Sequence, residues 1–196
     1  MTKKLLYLLP ITLMLVPLAA SAHVGIGPTF GFWYGFLHPL GGFDHILAMV
    51  GVGLWARQTG GRAVWAVPLA FVSVMIVGGV LGASGITLPF VEQAVVMSVL
   101  IVGVLIAAAI RLPLIASTLL VGLFAIFHGH VHGAEMPLGQ AGILYGVGFI
   151  LTTALLHGSG VALGTAFHKN LKGTVVRYTG ATIALAGAYL TYLLIH

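Results

Sequence analysis

Residues 63–83 read AVWAVPLAFVSVMIVGGVLGA, with no charged side chain among them. As a helix rising 1.5 Å per residue, such a run reaches about 30 Å, the thickness of a bilayer's hydrocarbon core. The rest of the 196-residue chain has the same character: 60% of it is hydrophobic, 6% is charged and the mean hydropathy is +1.14. A soluble domain carries about 25% charged residues, so this chain lacks the polar surface needed to face water. Apolar runs at roughly 30–56, 63–83, 90–110, 114–132, 139–167 and 175–195 predict an all-α, polytopic membrane helix bundle with six transmembrane helices.

Ahead of these runs, residues 1–22 have the form of a secretory signal peptide. Lys3 and Lys4 supply the positive region, Leu5 to Leu18 the apolar region, and Ala20-Ser21-Ala22 an A-x-A cleavage site. Pro10 and Pro17 argue against a retained span. Cleavage leaves a mature six-span domain over 23–196 with His23 at its N-terminus, where either the amine and the imidazole bind one metal ion together or the terminus is frayed and uninvolved. The loops give an orientation. Arg57, Arg62, Arg111, Lys169, Lys172 and Arg177 follow the first, third and fifth runs, and the loops after the second and fourth runs carry no Lys or Arg. By the positive-inside rule the mature N-terminus lies outside, in agreement with a leader.

The first run holds His38-Pro39-Leu40-Gly41-Gly42, where a proline followed by two glycines interrupts helical hydrogen bonding. Non-helical backbone at membrane depth is tolerated inside the protein or against a water-filled cavity, so a break is expected there. Small-xxx-small pairs at Gly31/Gly35, Gly78/Gly82, Gly129/Gly133, Gly142/Gly146 and Gly160/Gly164 predict closely packed helices.

Chemistry is confined to a few residues. A carboxylate or imidazole near hydrocarbon costs several kcal/mol unless it is paired or ligating. Two of the three acidic residues stand beside five of the nine histidines: Asp44 with His38 and His45, and Glu135 with His128, His130 and His132. On a helix, His128, His132 and Glu135 share one face, and two imidazoles with a carboxylate make a first shell for a divalent transition metal. Asp44 either orients His45 or ligates the ion itself. His130 points away, toward a second site, a relay or a neighbouring helix. His157 is either an inner ligand on a translocation path or a histidine bonded to a neighbouring helix. With the orientation above, both clusters fall in the outer half of the membrane. The bland alternative is a polar network that pins helices together. Glu92, near a helix start, is explained by the helix dipole, and Phe30, Phe32, Trp33, Tyr34 and Phe36 suit an interfacial belt.

Several function classes drop out. There is no cysteine, so disulfides and thiolate ligands are excluded. The eight basic residues form no patch for nucleic acid. There is no phosphate-binding loop, no H-E-x-x-H and no G-x-S-x-G. No catalytic residue is expected, and the chain is not expected to be an enzyme.

At the two clusters the sequence resembles the HupE/UreJ family of hydrogenase and urease accessory proteins. The family's H-x5-D-H motif is met by His38 through Asp44-His45, and its F-H-G-x-[AV]-H-G-x-E motif by Phe127 through Glu135. The resemblance implies a nickel permease of the bacterial inner membrane. It implies a metal site built from His38, Asp44, His45, His128, His132 and Glu135, with His23, His130 and His157 as further metal or pathway candidates. The residues alone allow nickel, cobalt, zinc or iron. Two other readings stay open: an intramembrane metalloenzyme with resident zinc or iron, and a metal-binding accessory protein that does not transport. The implied partners are the lipid bilayer and nickel, and a homo-oligomer is also open.

Overall fold

The computed structural model of the chain describes residues 31–137, 139–170 and 173–196. The expected signal peptide, His23, Phe30 and Lys172 lie outside the described residues. The described residues form seven helices: α1 (Phe32–Gly41), α2 (Phe43–Thr59), α3 (Ala63–Ala83), α4 (Val91–Ala107), α5 (Leu114–Ala134), α6 (Gln140–Asn170) and α7 (Thr174–Ile195). The all-α expectation holds. By length and composition four helices can cross a membrane: α3, α5, α6 and α7. The pair α1 and α2 qualifies as one further span, bent by 86°. Helix α4 is apolar but only 17 residues long, which gives about 26 Å, slightly less than a typical hydrocarbon core.

The expected interruption of the first run is present, at one residue. Helix α1 continues through Pro39, and the chain turns at Gly42, whose φ of −106° and ψ of 121° are extended. A proline removes one hydrogen bond and kinks a helix, but here α1 stays helical for two residues beyond it. Gly42 then serves as N-cap for α2 without a side-chain cap. At the other end of α2, Gly60 adopts a φ of +82°, a region that favours glycine.

Helix α2 forms the centre. Its segment Leu47–Ala56 is buried almost without interruption, and Met49, Leu54 and Trp55 are among the most enclosed side chains. The outward faces of the surrounding helices carry Leu69, Ile76, Val80, Leu119, Leu123, Leu155, Leu185 and Tyr189, all exposed. An apolar exterior around a packed interior suits lipid, which solvates those side chains as well as a protein core does.

Glycine sets how closely the helices approach. A Cβ on Gly78 would strike the Ile126 carbonyl oxygen, and one on Gly129 the Met75 carbonyl oxygen, so α3 and α5 meet backbone to backbone. The same holds between α2 and α6, through Gly53 against the His157 carbonyl and Gly160 against the Val50 carbonyl. Helices α4 and α7 meet through Gly103, Gly180 and Gly187. Gly35 packs on the Tyr145 carbonyl, which seats α1 on α6. The pair Gly142/Gly146 differs: Gly142 faces Pro137 of its own preceding loop, and Gly146 has only Met136 Sδ, at 3.9 Å.

That contrast gives a test. Gly78→Ala overpacks a backbone contact and should cost about 1–3 kcal/mol of stability. Gly146→Ala should be neutral, or stabilising by up to about 1 kcal/mol through helix propensity. Thermal melts of the two variants in detergent should separate them.

Candidate metal site

One end of the bundle holds a cavity of about 500 Å³. Its lining includes Tyr34, His38, Gly42, Asp44, His45, Glu92, His132 and Glu135. The chain has three acidic residues in all, and Asp44, Glu92 and Glu135 all line this one cavity. Four elements bring the set together: the end of α1, the start of α2, the start of α4 and the end of α5.

Three groups converge most closely. His38 Nε2 lies 3.5 Å from Glu135 Oε2, and His132 Nδ1 lies 3.7 Å from the same oxygen. One ligand atom from each of the three residues falls within 4.8 Å of the others, a separation that a single ion can close. Glu135 sits just past the end of α5 and is 53% exposed. The facing His132 and His38 rings hold its carboxyl well below the usual carboxylate range, so it is ionised and available to a cation near neutral pH.

His45 joins this trio from the other side of the break. Its Nε2 meets His132 Nε2. Its Nδ1 donates to Asp44 Oδ1 at 2.8 Å, and its backbone N–H donates to the same oxygen at 2.9 Å. Asp44 thereby fixes the ring's tautomer with the proton on Nδ1 and turns the Nε2 lone pair toward His132 and the cavity, the usual arrangement behind a metal-bound histidine. Gly42 makes room for this pair: a Cβ there would stand 2.7 Å from Asp44 Oδ1 and 2.8 Å from His45 Nδ1. The break therefore turns the chain and leaves space for the Asp44–His45 unit.

Aromatic rings wall the trio. Tyr34 and Tyr145 each stand edge-on to His38 with centroids 5.7 Å away, and Phe149 lies 4.6 Å from His132. Tyr34 thus borders the site as well as standing among the belt aromatics, whereas Trp33 is 67% exposed. The other expected histidines lie elsewhere. His128 is fully buried one turn deeper than His132, with its ring 5.2 Å from His45. His130 faces the link between α3 and α4 and donates from Nε2 to the Ile86 carbonyl at 2.5 Å. His157 is buried in the middle of α6, and its Nδ1 donates to the Thr153 carbonyl at 2.7 Å, within its own helix.

A model of the family described as "HupE / UreJ protein" matches residues 11–190. The chain belongs to the HupE/UreJ family. Protein HupE of Rhizobium leguminosarum bv. viciae is 44% identical over 175 residues, which cover 89% of this chain and 91% of that protein. No solved structure matches.

Both motifs of this HupE/UreJ chain thus supply side chains to one cavity, the first from both sides of the Gly42 break and the second from the end of α5. Glu92, which the helix dipole explains from the sequence, belongs to neither motif. It lies in the first turn of α4, where a dipole explains it locally, yet it lines the cavity. The signal available in the sequence was its rarity, as one of three carboxylates in the chain.

The opposite end of the bundle has the opposite charge. A second cavity of about 460 Å³ is lined by Arg57, Arg111 and Arg177. Arg57 Nε donates to Thr165 Oγ1 at 2.9 Å, and Arg177 Nε to the Ala107 carbonyl at 2.8 Å, tying α2 to α6 and α7 to α4.

Two substitutions probe the His45 unit. Asp44→Asn removes the anionic acceptor behind the ring and should lower divalent-metal affinity roughly 10- to 100-fold. Gly42→Ala leaves every polar group in place but crowds the same pair, and should weaken binding in the same direction. Equilibrium dialysis of purified protein against nickel-63 reads both.

Proposed function

We propose that the chain is a secondary permease that takes up nickel, or a similar divalent transition-metal ion, across a bacterial inner membrane. Its cargo would serve maturation of a hydrogenase or a urease, as membership of the HupE/UreJ family suggests. The observation that carries the reading is the convergence of His38, His132 and Glu135, with the oriented His45 beside them, in a cavity open at the carboxylate-bearing end. His38, Asp44, His45, His128, His132 and Glu135 are the proposed metal residues, with Asp44 acting through His45.

The proposed topology follows from the charges at the two ends. After removal of residues 1–22, the 23–196 domain crosses six times. The bent α1–α2 pair counts as one crossing and α4 as another, the bilayer thinning slightly around the shorter helix. The end lined by Arg57, Arg111 and Arg177 faces the cytoplasm. The histidine cavity then faces outward, and its carboxylates attract an incoming cation. Nitrogen and oxygen donors suit transport, because an ion held too tightly cannot leave. An inside-negative potential favours entry by roughly 2.3 kcal/mol per charge per 100 mV, about 4.6 kcal/mol for a divalent ion. Uptake therefore needs no nucleotide and no catalytic residue.

Two experiments test this. Cells expressing the protein should accumulate nickel-63, and His45→Ala, His132→Ala and Glu135→Gln should each reduce the initial rate at least roughly tenfold. Uptake unchanged in both histidine variants would overturn the permease. The native chain has no cysteine, so single cysteines report topology cleanly. In intact cells a membrane-impermeant maleimide should label Ser84→Cys and spare Gly61→Cys; the reverse pattern would invert the orientation.

A further inference from the structure

Below the cavity, two histidines are held in the same way, and neither bond ties one helix to another. His128 Nδ1 donates to the Phe124 carbonyl at 3.1 Å, and His157 Nδ1 donates to the Thr153 carbonyl at 2.7 Å. Each acceptor is one turn back on the donor's own helix. A carbonyl can only accept, so Nδ1 carries the proton in both rings and Nε2 is left as a bare lone pair. Both Nε2 atoms are buried and have no hydrogen-bond partner. His128 is 0% exposed and His157 is 1% exposed.

Unpartnered buried acceptors are rare and call for an explanation. A role in pinning helices together does not supply one, because both hydrogen bonds are intrahelical. Nδ1–H fixed on a backbone carbonyl with Nε2 free is how proteins present histidine to a metal. The two rings approach a common neighbour from α5 and α6: Phe71 of α3 lies 5.4 Å from His128 and 4.9 Å from His157 between ring centroids. Thr153 Oγ1, one turn from His157 on α6, is likewise buried and unpartnered.

Position supports the same role. Phe149 of α6 packs on His132 of the upper site, and Gly164 of α6 lines the arginine-bearing cavity. At 1.5 Å per residue, His157 lies about 12 Å below the first and about 10 Å above the second. It stands between the two cavities in depth. His45 bridges the levels, since its ring contacts His132 at 4.3 Å and His128 at 5.2 Å.

We infer that His128 and His157 form a second, deeper station for a divalent transition-metal ion, on the route between the two cavities. The inference rests on the permease reading for its place on a route, but the station itself is a matter of ligation. The ion leaves His45 and His132 and is taken up at this station by His128 Nε2 and His157 Nε2, beside the Phe71 ring. Neutral imidazoles suit an intermediate station, because they replace part of the hydration shell without the grip of a carboxylate.

The test is equilibrium dialysis of purified protein against nickel-63, paired with flux into proteoliposomes. His157→Gln should bind one ion fewer than the wild type, keep the affinity of the upper site within about twofold, and lose flux roughly tenfold or more. If His157→Gln does not yield folded protein, His128→Gln removes the other Nε2 and carries the same expected loss of one ion. An unchanged ion count overturns the station, whatever the flux. If the wild type shows no flux, the permease reading fails on its own; the ion count then still decides the station, a lost ion supporting it and an equal count overturning it.

Discussion

Polar groups inside a hydrocarbon slab need a partner or a cavity, and this chain has three carboxylates to place. All three carboxylates of this chain line one cavity, with three histidines from two distant segments among them. The junction between His45 and His132 is the contact on which this arrangement turns. It joins α2 to α5 and requires α1 to end at Gly42, since an unbroken helix could not carry both His38 and His45 to the same ring. The extended backbone at Gly42 and the space left by its missing side chain are two aspects of one requirement.

Close backbone contact supplies the register for that junction. In lipid there is little hydrophobic force to draw helices together, so packing of small residues and carbonyls must position them. Gly78, Gly82, Gly129 and Gly133 bring α3 against α5 over the segment that carries His128, His130 and His132. Gly53 and Gly160 do the same for α2 against α6, beside His157. The imidazoles therefore project from helices whose separation is set by main-chain atoms, so small changes at glycine are felt at the histidines.

The two ends of the bundle differ in chemistry as well as charge. At one end, carboxylates and imidazoles stand within a few ångströms of each other, partly open. At the other, three arginines line a cavity of similar size, and two of them, Arg57 and Arg177, are bonded to neighbouring helices. In the proposed transport, a cation drawn to the first end would be delivered toward the second against like charge, a demand that a membrane potential and neutral intermediate ligands would together meet.

The sequence alone determined the helical class, the apolar runs, the break in the first of them and the two histidine motifs, because each rests on composition or local spacing. A run of apolar residues must become a helix in lipid whatever surrounds it, and the residues of H-x5-D-H are legible one by one. Only the tertiary structure decided which groups meet. It put Glu92 in the cavity, where local spacing points to a helix dipole, because the start of α4 and the ends of α1 and α5 border the same cavity. It turned His130 toward Ile86 and set His128 deeper than His132, with its own Nε2 unpartnered. Helical spacing fixes which face a side chain takes. The neighbour opposite that face depends on how the helices pack, and that follows from backbone contacts between segments far apart in the chain.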